Sequence, residues 1–331
     1  MQIALRHRPV YFFLMSLLAL SSCGDNKNRE KAEVATARPI PEFNADSAYI
    51  FVERQVAFGA RIPNTPAHRA TGDYILRKLR EYGARTVVQE FQATTFDGQK
   101  LNLRNLIGSF RPEVQKRIIL AAHWDTRPFS DKDPNAPDKS FDGANDGASG
   151  VAVLLEVGRH LKEQPSVGVD LIFFDGEDWG EREGTKVPTT GGLDSWWCLG
   201  SQHWSKQKHA PGYRAYYGIL LDMVGGSNAQ FYQEGTSMMY APKIVEKVWS
   251  QAARLGHGST FVQQRQAPIT DDHLFVNELG GIQMIDITEY DPNVGYFGPF
   301  HHTQKDNLQQ ISRETLGIVG RVVMQVIYLE E

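Results

Sequence analysis

The chain has little cysteine, two residues in 331, Cys23 and Cys198. That excludes a disulfide framework, so the core must be held by packing. Charge of one sign is also missing: 35 Lys and Arg against 39 Asp and Glu leave a net charge of −4. No nucleic-acid partner is expected from such a balance. The 30 Gly and 16 Pro follow no period, and 41% of the residues are hydrophobic, which excludes collagen-like and intrinsically disordered chains. Long apolar runs are absent as well. The run at 11–20, YFFLMSLLAL, is too short for a bilayer of ~30 Å, which needs about 20 residues as a helix.

What stands at the front has the order of an export signal. Arg6 and Arg8 precede the apolar run, which ends in Leu20-Ser21-Ser22-Cys23. That ending resembles the lipobox of bacterial lipoproteins, which implies cleavage before Cys23 and acylation of its thiol. The chain then divides into a signal peptide at 1–22, a lipidated cysteine and polar tether at 23–40, and a folded domain at 41–331. The expected location is the bacterial cell envelope, with the membrane touched only through the lipid anchor. Cys198 remains as a buried thiol with a packing role. Nothing in the sequence asks for an obligate partner, and a monomer is expected.

Apolar spacing predicts helices over 46–59 and 68–82, then strands over 85–91 and 101–110 joined near Asp97-Gly98. A strand–helix alternation follows: strands at 117–122, 170–174, 218–221 and 281–287, helices at 147–162, 199–206, 243–254 and 312–329. This pattern predicts an α/β fold. It is a single globular domain with a twisted, mostly parallel central sheet and helices on both faces.

The residues after the strands carry the chemistry. RIILAA runs into His123-Trp124-Asp125, DLIFF into Asp175-Gly176-Glu177-Asp178, GILL into Asp222, and QMIDIT into Glu289. In open α/β sheets ligands bind outside the carboxyl ends of the strands, so these groups are expected in one crevice. Gathered carboxylates repel one another, and a divalent cation relieves that repulsion. A mixture of His and carboxylate suits zinc, which takes three protein ligands at catalytic sites. The candidates are His123, Asp146, Glu177, Asp178, Asp222 and His302. Aromatic residues crowd the same stretch; Trp179, Trp196 and Trp197 flank a loop at 180–194, and Tyr296, Phe297 and Phe300 precede His302. They are expected to wall a small pocket, whereas Trp204, on a helix, is expected in the core. No Ser or Cys nucleophile is evident, and Ser149 reads as a packing residue.

The order His123-x-Asp125, NDGASG at 145–150, DGED at 175–178, Leu221-Asp222 and His302 resembles the zinc aminopeptidase clan. FFDGED, CLGSQHW, LLDMVGG, ITDDHLFVNELG and HHTQKDN resemble more closely the glutaminyl cyclases built on that fold, animal-type and bacterial. The resemblance implies one zinc per chain on Asp146, Asp178 and His302, with Glu177 as proton shuttle and Asp222 and Asp271 as acids near it. Asp178 replaces the Glu of the animal motif, and His301 stands where those enzymes carry Trp.

The implied reaction is cyclisation of an N-terminal Gln, more slowly Glu, of peptides or proteins, with loss of ammonia. Two other readings stay open at this stage. His123 and Asp222 would complete the ligand set of a two-metal aminopeptidase. A binding lipoprotein that kept the fold without chemistry is the third, although it would have no need of a free Glu177 beside a metal.

Overall fold

The computed structural model describes residues 39–163, 165–185 and 195–330. The expected signal segment, Cys23 and the tether through residue 38 lie outside the described residues, as does 186–194 of the 180–194 loop.

Two capped helices open the described chain. In α1 (Ala45–Ala57) the Asn44 side chain accepts from the Ser47 N–H, and in α2 (Pro66–Glu81) the Thr65 side chain accepts from the His68 N–H. Both satisfy N-terminal donors that a helix leaves open. β1 (Arg85–Thr94) and β2 (Lys100–Phe110) pair as an antiparallel hairpin. Then come β3 (Arg117–His123), α3 (Ala148–His160), β4 (Gly168–Phe174), α4 (Leu199–Lys206) and β5 (Tyr217–Asp222). The remainder is β6 (Phe231–Gln233), α5 (Gly235–Tyr240), α6 (Pro242–Arg254), β7 (Phe261–Arg265), α7 (Asp272–Glu278), β8 (Met284–Thr288) and α8 (Arg313–Tyr328).

The main sheet has the order β1-β2-β4-β3-β5-β8, with β4, β3, β5 and β8 parallel and the hairpin antiparallel at one edge. Every residue of the four parallel strands is buried, which explains their near-continuous apolar sequences. Side chains alternate between two cores. Ile118 and Leu120 face α1, α3 and α8, while Ile119 and Ala121 face Trp204 of α4 and Val276 of α7. Trp204 is thus a core residue.

From β3 the chain passes to β4 on one side and later returns to β5 on the other. That reversal opens a crevice at the carboxyl ends of the strands. Two features differ from the expected elements. The last parallel strand starts at Met284 rather than 281, because Gly281 turns the chain with φ +64°. The short parallel pair β6/β7 and the short helices α5 and α7 carry no extended periodicity, and sequence pattern did not announce them.

Candidate active site

Each parallel strand delivers a polar turn to the crevice. β3 ends on His123, whose Nε2 lies 3.0 Å from Asp146 Oδ1 and 3.1 Å from Asp222 Oδ1. Asp222 closes β5. Asp146 arrives from the loop before α3, where the Asp306 carboxylate accepts from the N–H groups of Asn145 (2.7 Å) and Asp146 (3.1 Å). Gly147 makes this approach possible: a Cβ there would lie 2.5 Å from the His123 carbonyl and 2.6 Å from its Nε2. After β4, the Asp125 carboxylate accepts from the N–H groups of Glu177 (3.1 Å) and Asp178 (3.2 Å), fixing the turn that carries both acids.

His302 completes the group from the segment between β8 and α8. Its Nε2 is 2.9 Å from Asp178 Oδ1 and 3.5 Å from Asp146 Oδ2. His302, Cys198 and Met223 all carry left-handed backbone, φ 56°, 59° and 47°, a conformation that costs a non-glycine residue roughly 1–3 kcal/mol and clusters at functional sites.

Burial dominates the electrostatics. It pushes Glu177 and Asp178 well above the usual carboxylate range, helped by neighbouring acids, and takes Asp222 up to about 7. Burial works the same way on Asp146, but its hydrogen bond to His123 and the nearby imidazoles hold it low. His302 is brought down to about 3 by burial and by Arg127, so its imidazole is neutral.

These residues fit a zinc ion. Asp178 Oδ1 is buried without a hydrogen-bond donor, and the neutral His302 turns Nε2 toward it. Two carboxylates and an imidazole are zinc donors, and a cation relieves both the repulsion among the acids and the opposed lone pairs. His123, Asp146 and Asp222 form a second group of metal-ligating character, and Asp146 with His301 and His302 a third.

The crevice opens into a cleft of about 560 Å³, walled by Trp196, Trp197, Tyr296, Phe297 and His301. Glu177 and Asp271 face it, and their oxygens and the sulfur of the buried Cys198 lie within 4.8 Å of one another. Three expectations are corrected. Trp179 lies outside the cleft, packed against Leu101 and Leu103 of the hairpin. Glu289 accepts from Asn145 Nδ2 (2.9 Å) and borders a small separate cavity. Cys198 is more than packing, for its thiol lies 3.3 Å from Glu177 Oε1 and its N–H donates to the Glu177 carbonyl. Asp222 lines the same cleft as Glu177 and Asp271, and its Oδ1 lies 3.1 Å from His123 Nε2. Ser149 is buried and donates to the Asn145 carbonyl.

Several groups escaped the sequence reading. Asp272 and Asp286 are buried acids beside Asp271, and His273 Nε2 is paired with Glu234 at 2.9 Å. Asp286, a lone charge in the buried strand QMIDIT, was the available signal. Arg127 and Asp131 gave none.

With this geometry in hand, comparison with known proteins places the chain. A family model described as "Peptidase family M28" matches residues 105–327. The chain belongs to peptidase family M28. Among solved structures, this M28 chain is similar to a glutaminyl cyclase of Bacteroides thetaiotaomicron bound to N-acetylhistamine, with 47% identity over 88% of this chain and all of that one, TM-score 0.85. It is also similar to a structure described as a Zn-dependent exopeptidase from Parabacteroides distasonis, with 49% identity, the same coverage and TM-score 0.84. A curated relative, the glutaminyl-peptide cyclotransferase of Gloydius blomhoffii, is 27% identical over 82% of this chain and 77% of its own length.

Proposed function

We propose that this protein is a zinc-dependent glutaminyl-peptide cyclotransferase, converting the N-terminal Gln of peptides or proteins to pyroglutamate with release of ammonia. The carrying observation is the pairing of Glu177 with Asp271 at the head of the cleft. In this reaction one nitrogen loses a proton while another gains one, and carboxyl groups are needed at that place. Asp146, Asp178 and His302 would hold the zinc, which when bound acts as a Lewis acid on the side-chain amide oxygen. Glu177 takes the proton of the attacking α-amine and delivers it to the leaving nitrogen. Asp271 and Asp222 supply negative charge around the nitrogen as it becomes positive. Trp196, Trp197, Phe297 and His301 form the walls that orient the glutamine side chain and exclude water. The reacting groups belong to one substrate, so orientation replaces a covalent nucleophile.

A second reading, a two-metal aminopeptidase, is favoured by the His123, Asp146 and Asp222 group. Product masses separate the two. The purified protein is offered one peptide beginning with Gln and another beginning with Leu. Loss of one ammonia from the first and no change in the second is expected, with about one zinc per chain. Free leucine together with two tightly bound metals would overturn the cyclase reading.

The pH profile supplies an independent check. An α-amine has a pKa near 7.7–8.0 and attacks only when unprotonated. Its deprotonated fraction therefore rises roughly 40-fold from pH 6 to pH 8, and kcat/KM for a Gln-peptide should climb with it. A steady fall across that range would count against an amine nucleophile.

The lipobox-like LSSC at 20–23 supports anchorage of the exported protein through Cys23. Among the described residues, no helix is long and apolar enough to cross a membrane.

A further inference from the structure

Arg127 is almost wholly buried, 1% exposed, in the loop after β3. Burying a guanidinium is unfavourable unless its donors are satisfied, and here all of them are. Nε and Nη2 form a two-point pair with the Asp131 carboxylate at 2.9 and 2.7 Å. Nη1 donates to the carbonyls of Asp178 (3.1 Å) and Gly180 (3.2 Å), and Nη2 also to that of Glu181 (3.0 Å). Its backbone N–H donates to Asp178 Oδ2 at 3.0 Å. The guanidinium therefore ties the β3 loop to the segment that follows β4.

The same side chain reaches His302 by two routes. Asp131 Oδ1 lies 3.8 Å from His302 Nδ1, on the opposite side of the ring from Nε2 and the acids. The Trp197 indole lies beneath the guanidinium, 4.6 Å from centroid to Cζ, and stacks on the His302 ring at 6.0 Å with an interplanar angle of 1°.

We propose that Arg127 is the positioning residue of the metal triad, its guanidinium holding the Asp178 backbone through the carbonyl and, through Asp131 and Trp197, the His302 ring in the orientation that binds zinc. The proposal rests on Asp146, Asp178 and His302 being the ligands. Groups that orient metal ligands typically contribute 10- to 100-fold in affinity. Lysine cannot replace the planar fork, because its three N–H donors spring from one nitrogen and cannot span the Asp131 carboxylate and the facing carbonyls together.

The test is zinc affinity of the full-length protein, measured by competition with a chelator, for wild type, Arg127→Lys, Asp131→Asn and His302→Ala. Circular dichroism confirms that each variant is folded in its metal-free form. Ten- to 100-fold weaker zinc binding is expected for Arg127→Lys and Asp131→Asn, and near-complete loss for His302→Ala. Folded Arg127→Lys and Asp131→Asn proteins that bind zinc within twofold of wild type would overturn the positioning role. If Arg127→Lys fails to fold, Asp131→Asn decides by the same limit. His302→Ala that holds zinc as tightly as wild type would refute the ligand set itself, and the positioning role with it.

Discussion

Glu177→Gln should lower kcat for a Gln-peptide by roughly 10²–10⁴-fold, the usual contribution of a positioned acid–base group, and leave the zinc content near one per chain. Glutamine keeps the shape of the side chain and can still accept from the Cys198 thiol, which now lies against Glu177 Oε1. It cannot take up a proton from the amine. Because the Glu177 side chain is not within the cluster of Asp146, Asp178 and His302, metal binding has no reason to change. A Glu177→Gln protein with undiminished turnover, or one that has lost its zinc, would remove Glu177 from the proton-transfer role.

His302→Ala and Asp146→Ala should instead lose zinc and turnover together, with activity down by at least about 10³-fold. A bound Lewis acid supplies several kcal/mol of transition-state stabilisation, and each 1.36 kcal/mol is tenfold in rate. Asp146 should be the harsher loss, because it also receives His123 Nε2 at 3.0 Å and is held by Asp306 through its backbone. Metal analysis beside steady-state kinetics reads both consequences at once. Full activity in a metal-free Asp146→Ala protein would exclude the proposed centre, and retained zinc in that variant would shift the ligand set toward His123 and Asp222.

The site was legible in sequence where each group followed a strand or sat in a short motif. His123, Asp222 and the Glu177-Asp178 pair were found because the buried parallel strands end in apolar runs, so the polar residue that follows each run marks the sheet edge. Asp146 and His302 stood among the candidates as well, but the choice of Asp146, Asp178 and His302 as the ligand set depended on the resemblance of their motifs, since loops carry no period. The pocket wall was only half legible. Trp196 and Trp197 face the cleft, but Trp179, next to Asp178, turns onto Leu101 and Leu103 of the hairpin. Which way a loop side chain points is decided by the surface that covers it. Arg127 and Asp131 were invisible for a related reason. In sequence they resemble any charged pair in a polar loop, and their burial is a tertiary property. Asp286 is the opposite case, a buried charge that stands out in the sequence because the strand around it is apolar.

The position of Cys198 has a practical consequence. It is the sole cysteine of the folded unit and has no exposed surface. An alkylating reagent can reach its sulfur only when the segment beside Glu177 opens. The rate of thiol modification therefore counts openings of this region, as amide exchange counts openings of a helix. Zinc or a slowly reacting peptide should slow that labelling by mass action, to the extent that it binds the closed form alone. The protein thus carries its own reporter of active-site opening, at a place where no label need be introduced.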